Sequence, residues 1–284
     1  MLGVAAGVVT MLGLVLGGDG SLTEAQRAEA QAAGPPNFVF VMTDDLDERS
    51  MRDLPGIRTL VGSSGATFNN AYVTYSLCCP SRATILRGQY PHNHGIVGNS
   101  PDTGGGEKKF RQLGRDQSTV ATWLNDAGYR TKLVGKYMNS YYDLYVPPGW
   151  DEWFALKQGD GPYGDVNEDG QWTTLGGRHS ADMFADEVSD FIRRSSANPA
   201  PFFVMVDTIA PHAPPEVATR HQDAFSTTPP LPKPPNFNEA DVSTSQLGCA
   251  PTPCSRKPRW TRWSGSTASG CALCSQWRTC SGRP

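Results

Sequence analysis

Four groups of residues have the types and spacing that chemistry needs. The densest is Cys78-Cys79-Pro80-Ser81-Arg82-Ala83-Thr84-Ile85-Leu86-Arg87-Gly88. Pro80 suits the first turn of a helix, because its missing N–H has no intrahelical partner there, and Gly88 closes the apolar helical run. Cys78 is then expected just before a helix N-terminus, where exposed amides and the helix dipole favour an anion. Arg82 follows one helical turn later and is placed to hold that anion, or else to make an ordinary surface ion pair. Asp44-Asp45 offers hard oxygen ligands suited to Ca²⁺ or Mg²⁺, or else serves as a turn or helix cap. Lys136 and His212 each follow an apolar run, and are either anion-binding groups or a solvated lysine and a loop histidine.

The elements that position these groups read as alternating strands and helices. Asn37-Phe38-Val39-Phe40-Val41-Met42 is a continuous apolar run, expected to form a central strand buried on both faces and to end at Asp44-Asp45. Thr67 to Val73 reads as a second extended segment leading into the cysteine motif. Ser118 is the expected N-cap of a helix over Thr119 to Ala127, with Gly128 as its stop. Tyr129 to Val134 is the next strand and delivers Gly135-Lys136-Tyr137. Ala181 to Arg194 has helical spacing, with Arg193 and Arg194 at its C-terminal end. Pro201 to Val206 is a further buried strand, ending in Asp207 to Ala210 and then Pro211-His212-Ala213-Pro214. This alternation predicts a mostly parallel α/β sheet, whose C-terminal strand ends are where ligands bind.

Taken together, these groups resemble the type I sulfatases. Cys78-x-Pro80-Ser81-Arg82 matches the modification signature of that family. Asp44-Asp45, the Cys78–Gly88 stretch, Gly128 to Tyr137 and Pro211-His212-Ala213-Pro214 occur in the order in which sulfatases place them. The resemblance covers roughly Asn37 to Asp241. Leu77 to Arg82, Tyr90-Pro91-His92-Asn93-His94, Gly135-Lys136-Tyr137 and Val146-Pro147-Pro148-Gly149-Trp150 look most like N-acetylglucosamine-6-sulfatases and heparan-6-O-endosulfatases. It implies an alkaline-phosphatase-like α/β sandwich, with a mostly parallel sheet between helices and incomplete at its C-terminus. It also implies a sulfuric ester hydrolase acting on a glucosamine-6-sulfate-type sugar or an aryl sulfate. In that chemistry Cys78 becomes formylglycine, made by a formylglycine-generating enzyme. One hydroxyl of its hydrate attacks sulfur and the other later expels sulfate. Asp44, Asp45 and the modified Cys78 hold a divalent metal, calcium ahead of magnesium. Arg82 stabilises the hydrate, while Lys136 and His212 hold sulfate and assist the leaving group. Cys79 is a bystander, its alternative being a strained Cys78–Cys79 disulfide. A related phosphatase or phosphonate ester hydrolase is the neighbouring alternative.

There are departures from the family pattern. Met138 stands where many sulfatases have a histidine, with Asn139 closer to the glucosamine-sulfatase version, and Arg87 replaces a usual threonine. The family completes its metal site with a late Asp-Asn-Gly segment and a further lysine. No such segment follows Asp241 in this sequence, so a catalytically inactive sulfatase fragment is the second reading.

Composition explains part of this. The 284 residues carry a formal charge of −3 and 38% hydrophobic residues, which names no partner. From Val242 onward, however, there are six basic and no acidic residues, leaving 19 basic and 28 acidic residues in the body. Five of the seven cysteines and three of the seven tryptophans fall in this tail. One reading makes Cys249, Cys254, Cys271, Cys274 and Cys280 a zinc or disulfide module. The favoured reading is a frameshift. Tryptophan has a single codon, so Trp260-Thr261-Arg262-Trp263, read one base earlier, gives an ordinary amphipathic pattern containing aspartate. The alternative frame of the coding DNA past Ser243 is accordingly expected to continue as a sulfatase with Asp-Asn-Gly. Domain boundaries follow: 1–35 as a signal-peptide-like segment and linker, 36–241 as the N-terminal part of a sulfatase domain, 242–284 as an aberrant tail. The apolar run Met1 to Leu16 suits a signal-peptide core and is too short for an ordinary membrane span, which predicts a secreted or cell-envelope protein without integral membrane association. The acidic body argues against nucleic acid and against a polyanion spread over a broad face.

Overall fold

The computed structural model describes residues 34–227 apart from 53 and 225. The expected leader, most of the proline-rich Thr227 to Asn238 stretch and the cysteine-rich tail lie outside the described residues. The chain divides into units 1–37 and 38–284, and the second carries the sheet. Among the described residues six strands, β1 (Phe38–Met42), β2 (Arg130–Gly135), β3 (Glu152–Leu156), β4 (Asp165–Glu168), β5 (Gln171–Thr174) and β6 (Phe202–Asp207), pair in the order β1-β6-β2-β3-β4-β5. The first three pairings in this order are parallel, and β4 and β5 add antiparallel at the far side.

The mostly parallel sheet is as expected, but β1 is not central. β6 takes that place between β1 and β2, with every residue buried, whereas Val39 and Val41 of β1 are 50% and 61% exposed. Among the described residues no strand pairs with the other edge of β1. Thr67 to Val73 forms no strand either, and its Phe68, Tyr72 and Val73 are exposed.

Side-chain alternation along the central strands divides the core between the two faces. Leu133, Trp153, Phe203 and Met205 pack on one side with Cys79, Ala83 and Leu86 of α1 (Cys78–Arg87). Val134, Phe154, Phe202, Val204 and Val206 face the other side and meet Phe184 and Phe191 of a long amphipathic helix, Ser180–Ser196. Between α1 and that helix lie α2 (Gly106–Gln112) and α3 (Val120–Asp126). Thr119, rather than Ser118, caps α3: its hydroxyl accepts from the Thr122 N–H, and Thr122 reciprocates to the Thr119 N–H. Ser118 instead accepts from the Trp123 indole N–H at 2.9 Å.

Two of the buried charged groups, Lys132 and Glu107, have opposite consequences. Lys132, on β2, is held by Glu152 at 3.2 Å and Glu187 at 2.7 Å. Arg194 grips the same Glu152 and, with Lys132, holds its pKa down to about 2. On α2, Glu107 is 1% exposed and has Arg111 Nε at 3.2 Å, yet burial pushes its pKa up to about 7. Across the window from 4.5 to about 7 the folded chain therefore binds more protons at Glu107 than the unfolded chain, and stability falls as pH rises through it. Glu107→Gln is expected to remove this slope and to raise the melting temperature above pH 7. Thermal unfolding of both proteins from pH 5 to 8.5 checks it; parallel curves would contradict it.

Candidate active site

The parallel strands deliver their C-terminal ends to one edge, and backbone hydrogen bonds continue past the strands to fix the loops there. Thr208 N–H donates to Met42 O at 2.9 Å, and Asp44 N–H to Ala210 O at 3.2 Å, so the loop after β1 is tied to the loop carrying His212. Lys136 N–H donates to Asp207 O at 2.8 Å. Gly135 makes this approach possible. Its φ is +109°, and a Cβ there would lie 2.0 Å from Asp207 O, with backbone on the far side that cannot give way. Gly135→Ala is expected to cost more than about 2 kcal/mol and to displace Lys136. Urea unfolding measures the first, and an unchanged midpoint would count against this reading of the turn.

Cys78 is the first residue of α1 rather than the residue before it, and Pro80 sits in the first turn. The N-cap residue, Leu77, is extended and offers no side-chain cap. Asn99 supplies part of that function from a distant loop, its Oδ1 accepting from Cys79 N–H at 2.9 Å. Gly88 ends the helix in the left-handed conformation, as expected. Behind α1, His94 is fully buried, with Nε2 3.1 Å from Thr84 Oγ1 and Nδ1 accepting from Ile96 N–H. The second bond places the ring proton on Nε2, donated to Thr84, and burial lowers the pKa of the ring. Arg87, at the helix C-terminus, donates to Arg115 O at 3.2 Å, so the residue that departs from the family pattern has a structural task.

Five of the six residues singled out converge at this edge. Cys78 Sγ lies 3.6 Å from Asp44 Oδ1, and ligand atoms of Asp44, Cys78 and His212 all fall within 4.8 Å of one another. Lys136 Nζ pairs with the other oxygen of Asp44. Arg82, 2% exposed, donates through Nη1 to Lys136 O at 2.5 Å and to Asp207 Oδ2 at 3.1 Å, and its Nη2 stands 3.8 Å from Asp44 Oδ2. Asp45 is the outlier: it adopts φ +64°, is exposed, and has Oδ2 3.8 Å from His212 Nε2.

Electrostatics argue against Cys78 acting as a thiolate. Burial, the largest influence, pushes its pKa up; Lys136 and Arg82 pull it down, while Asp44 and Asp45 push it further up. Cys79 is fully buried in the core, with its thiol pushed up to about 11 by burial. Both cysteines are free thiols, so the alternative of a disulfide between them is not adopted. Asp207 and Asn99 are site residues that the sequence reasoning did not single out. Asp207 carried a signal, since it ends a buried apolar run as Asp44 nearly does; Asn99 carried none. Burial also raises the pKa of Asp207 to about 7, against the pull of Arg82.

The family profile described as Sulfatase matches residues 36–248. The chain belongs to the sulfatase family. It is 37% identical over 216 residues to human N-acetylglucosamine-6-sulfatase, a match covering 72% of this chain and 39% of that enzyme. To the extracellular sulfatase SULF-1 homolog of Drosophila melanogaster it is 32% identical over 227 residues, covering 77% of this chain and 19% of that protein. The structure of BT4656 in complex with its substrate D-glucosamine-2-N,6-O-disulfate superimposes with a TM-score of 0.59 at 30% identity, over 71% of this chain and 39% of that one. The fold is accordingly the alkaline-phosphatase-like α/β arrangement of sulfatases. The chain spans about two fifths of the length of the human relative it matches.

Proposed function

We propose that this chain carries a sulfuric ester hydrolase site that cleaves the sulfate monoester of a glucosamine-6-sulfate-type sugar. The observation that carries this reading is the convergence of Cys78, Asp44 and His212 within 4.8 Å, with Lys136 on Asp44 and Arg82 behind it. The relatives with N-acetylglucosamine-6-sulfatase in their names support the sugar. The proposed domain is 36–241, preceded by an export leader over 1–35, so that the protein acts in the cell envelope or outside the cell. Relatives named extracellular sulfatases favour that location. Among the described residues no helix is long and apolar enough to cross a membrane.

The nucleophile is formylglycine at position 78, made from the cysteine by a formylglycine-generating enzyme. The donor set fits a hard cation once this change is made, because it replaces the soft sulfur beside the Asp44 carboxylate with oxygen. Asp44 and the modified residue 78 would hold a divalent metal, calcium ahead of magnesium, whose charge favours the ionised nucleophile; Asp45, outside this cluster, is the third ligand on the family resemblance alone. Asp44 is buried, with its backbone N–H tied to Ala210 O and its carboxylate contacted by Lys136 and Cys78. Arg82 presents a fixed positive charge to the anion at residue 78. Lys136 offers Nζ, drawn from Asp44, to the sulfate oxygens. His212 donates a proton to the leaving oxygen, with Asp45 3.8 Å from Nε2 to stabilise the imidazolium.

The test is sulfate release by the full chain, co-expressed with a formylglycine-generating enzyme and supplied with calcium, from glucosamine 6-sulfate, an aryl sulfate and a phosphonate monoester. Release is expected from glucosamine 6-sulfate ahead of the others. Turnover of the phosphonate alone would move the chain to the neighbouring hydrolases. No turnover of any of the three would favour the non-catalytic reading.

A further inference from the structure

Asp207 lies at the centre of the candidate site without a role in the chemistry just described. It is the last residue of β6, paired with Met42 of β1 and Gly135 of β2. Its side chain is 1% exposed, Oδ2 accepts from Arg82 Nη1 at 3.1 Å, and Oδ1 is buried with no hydrogen-bond partner. Its own carbonyl holds Lys136 N–H. The residue therefore touches both cationic elements of the site, one through its side chain and one through its backbone.

The distances show what this does to Arg82. Two carboxylates compete for one guanidinium in a buried space, and Asp207 wins: Nη1 is at hydrogen-bonding distance from it, while Nη2 remains 3.8 Å from Asp44. The carbonyls of Lys136 and Tyr137, at 2.5 and 3.4 Å from Nη1, hold the same prong. Without Asp207, only those two neutral carbonyls would oppose the attraction of the Asp44 charge, and the free prong would close onto Asp44 as a direct pair. Asp44 would then have both Lys136 and Arg82 on its oxygens and little capacity left for a cation.

We infer that Asp207 is a positioning residue that draws Arg82 away from Asp44 and so keeps the Asp44 carboxylate open to the divalent metal. This rests on the sulfatase reading of the site. Residues behind a metal ligand commonly change metal affinity ten- to a hundredfold when replaced, and that is the effect expected here.

The experiment is calorimetric titration with calcium chloride of the full chain, co-expressed with a formylglycine-generating enzyme and converted at residue 78, on wild type, Asp207→Ala and Asp207→Asn, with urea unfolding of each alongside. Asp207→Ala should weaken calcium binding at least about tenfold. Asp207→Asn keeps an acceptor for Arg82 in the same place, so it should fold like wild type and recover most of the affinity. In turnover, Asp207→Ala should lose kcat that is partly regained at high calcium, with KM for the sugar little changed. Asp207→Ala binding calcium as tightly as wild type would overturn the inference and leave the sulfatase reading standing. A wild-type chain that takes up no calcium would overturn both. If Asp207→Ala does not fold, the decision passes to Asp207→Asn: affinity between the two limits supports the inference, and affinity reduced as far as removing Asp44 itself contradicts it.

Discussion

Cys78→Ala is expected to abolish sulfate release, by at least about a thousandfold, because the nucleophile is lost while every group that binds the substrate remains. The variant should fold normally. Cys78 sits in the first helical turn beside Asp44, and its thiol makes only a long contact of 3.6 Å with that carboxylate. Alanine suits a helix, and removing a half-buried sulfur costs Asp44 Oδ1 only this long contact, while Lys136 still holds Oδ2. Sulfate binding measured in the inactive variant should therefore be close to wild type, since Arg82, Lys136 and His212 are untouched. Serine at the same position should be no better than alanine in a host that converts only cysteine. Retention of more than about a tenth of the activity in Cys78→Ala would remove this residue from the nucleophile's place.

The second large effect is on stability. Arg82→Ala deletes a buried cation that compensates two buried carboxylates, Asp207 at 1% and Asp44 at 5% exposure. Breaking a buried pair by removing one partner costs about 3–5 kcal/mol; here Asp207 is left with neither water nor a counterion, while Asp44 keeps Lys136. Two backbone carbonyls, of Lys136 and Tyr137, lose a donor in the same step. Arg82→Lys should recover only a fraction of this. A single ammonium cannot span two carbonyls and a carboxylate from the position of a planar fork. Urea unfolding of the three proteins gives the result directly. An Arg82→Ala midpoint equal to wild type would show that the pair contributes nothing and that the site is assembled by the strands alone.

The residues of the site were more legible than the sheet that holds them. Asp44, Lys136 and Asp207 all follow apolar runs, and the period of those runs locates strand ends well. An apolar run, however, encodes burial and not neighbours. Phe38 to Met42 and Phe202 to Val206 read alike, yet β6 is enclosed by β1 and β2, while β1 has a strand on one side only among the described residues. The antiparallel extension also has a signal in the sequence: Asp169-Gly170, both at positive φ, is the turn of the β4–β5 hairpin. At the start of α3, Ser118 and Thr119 are both capping residues, and the choice between them depends on Thr122 reaching back to the Thr119 N–H. Asn99 was invisible because its bond to Cys79 N–H joins residues brought together only by the fold.

The central claim is that Cys78 is the precursor of a sulfatase nucleophile, and the mass of the peptide around it tests this most directly. The full chain should be co-expressed with a formylglycine-generating enzyme, beside a second sulfatase as a positive control, and the peptide spanning Leu77 to Arg82 recovered. The expected peptide has lost sulfur and gained an aldehyde oxygen, and reacts with a hydrazide probe. A peptide with the mass of unmodified cysteine, in cells that have converted the control, would contradict the account.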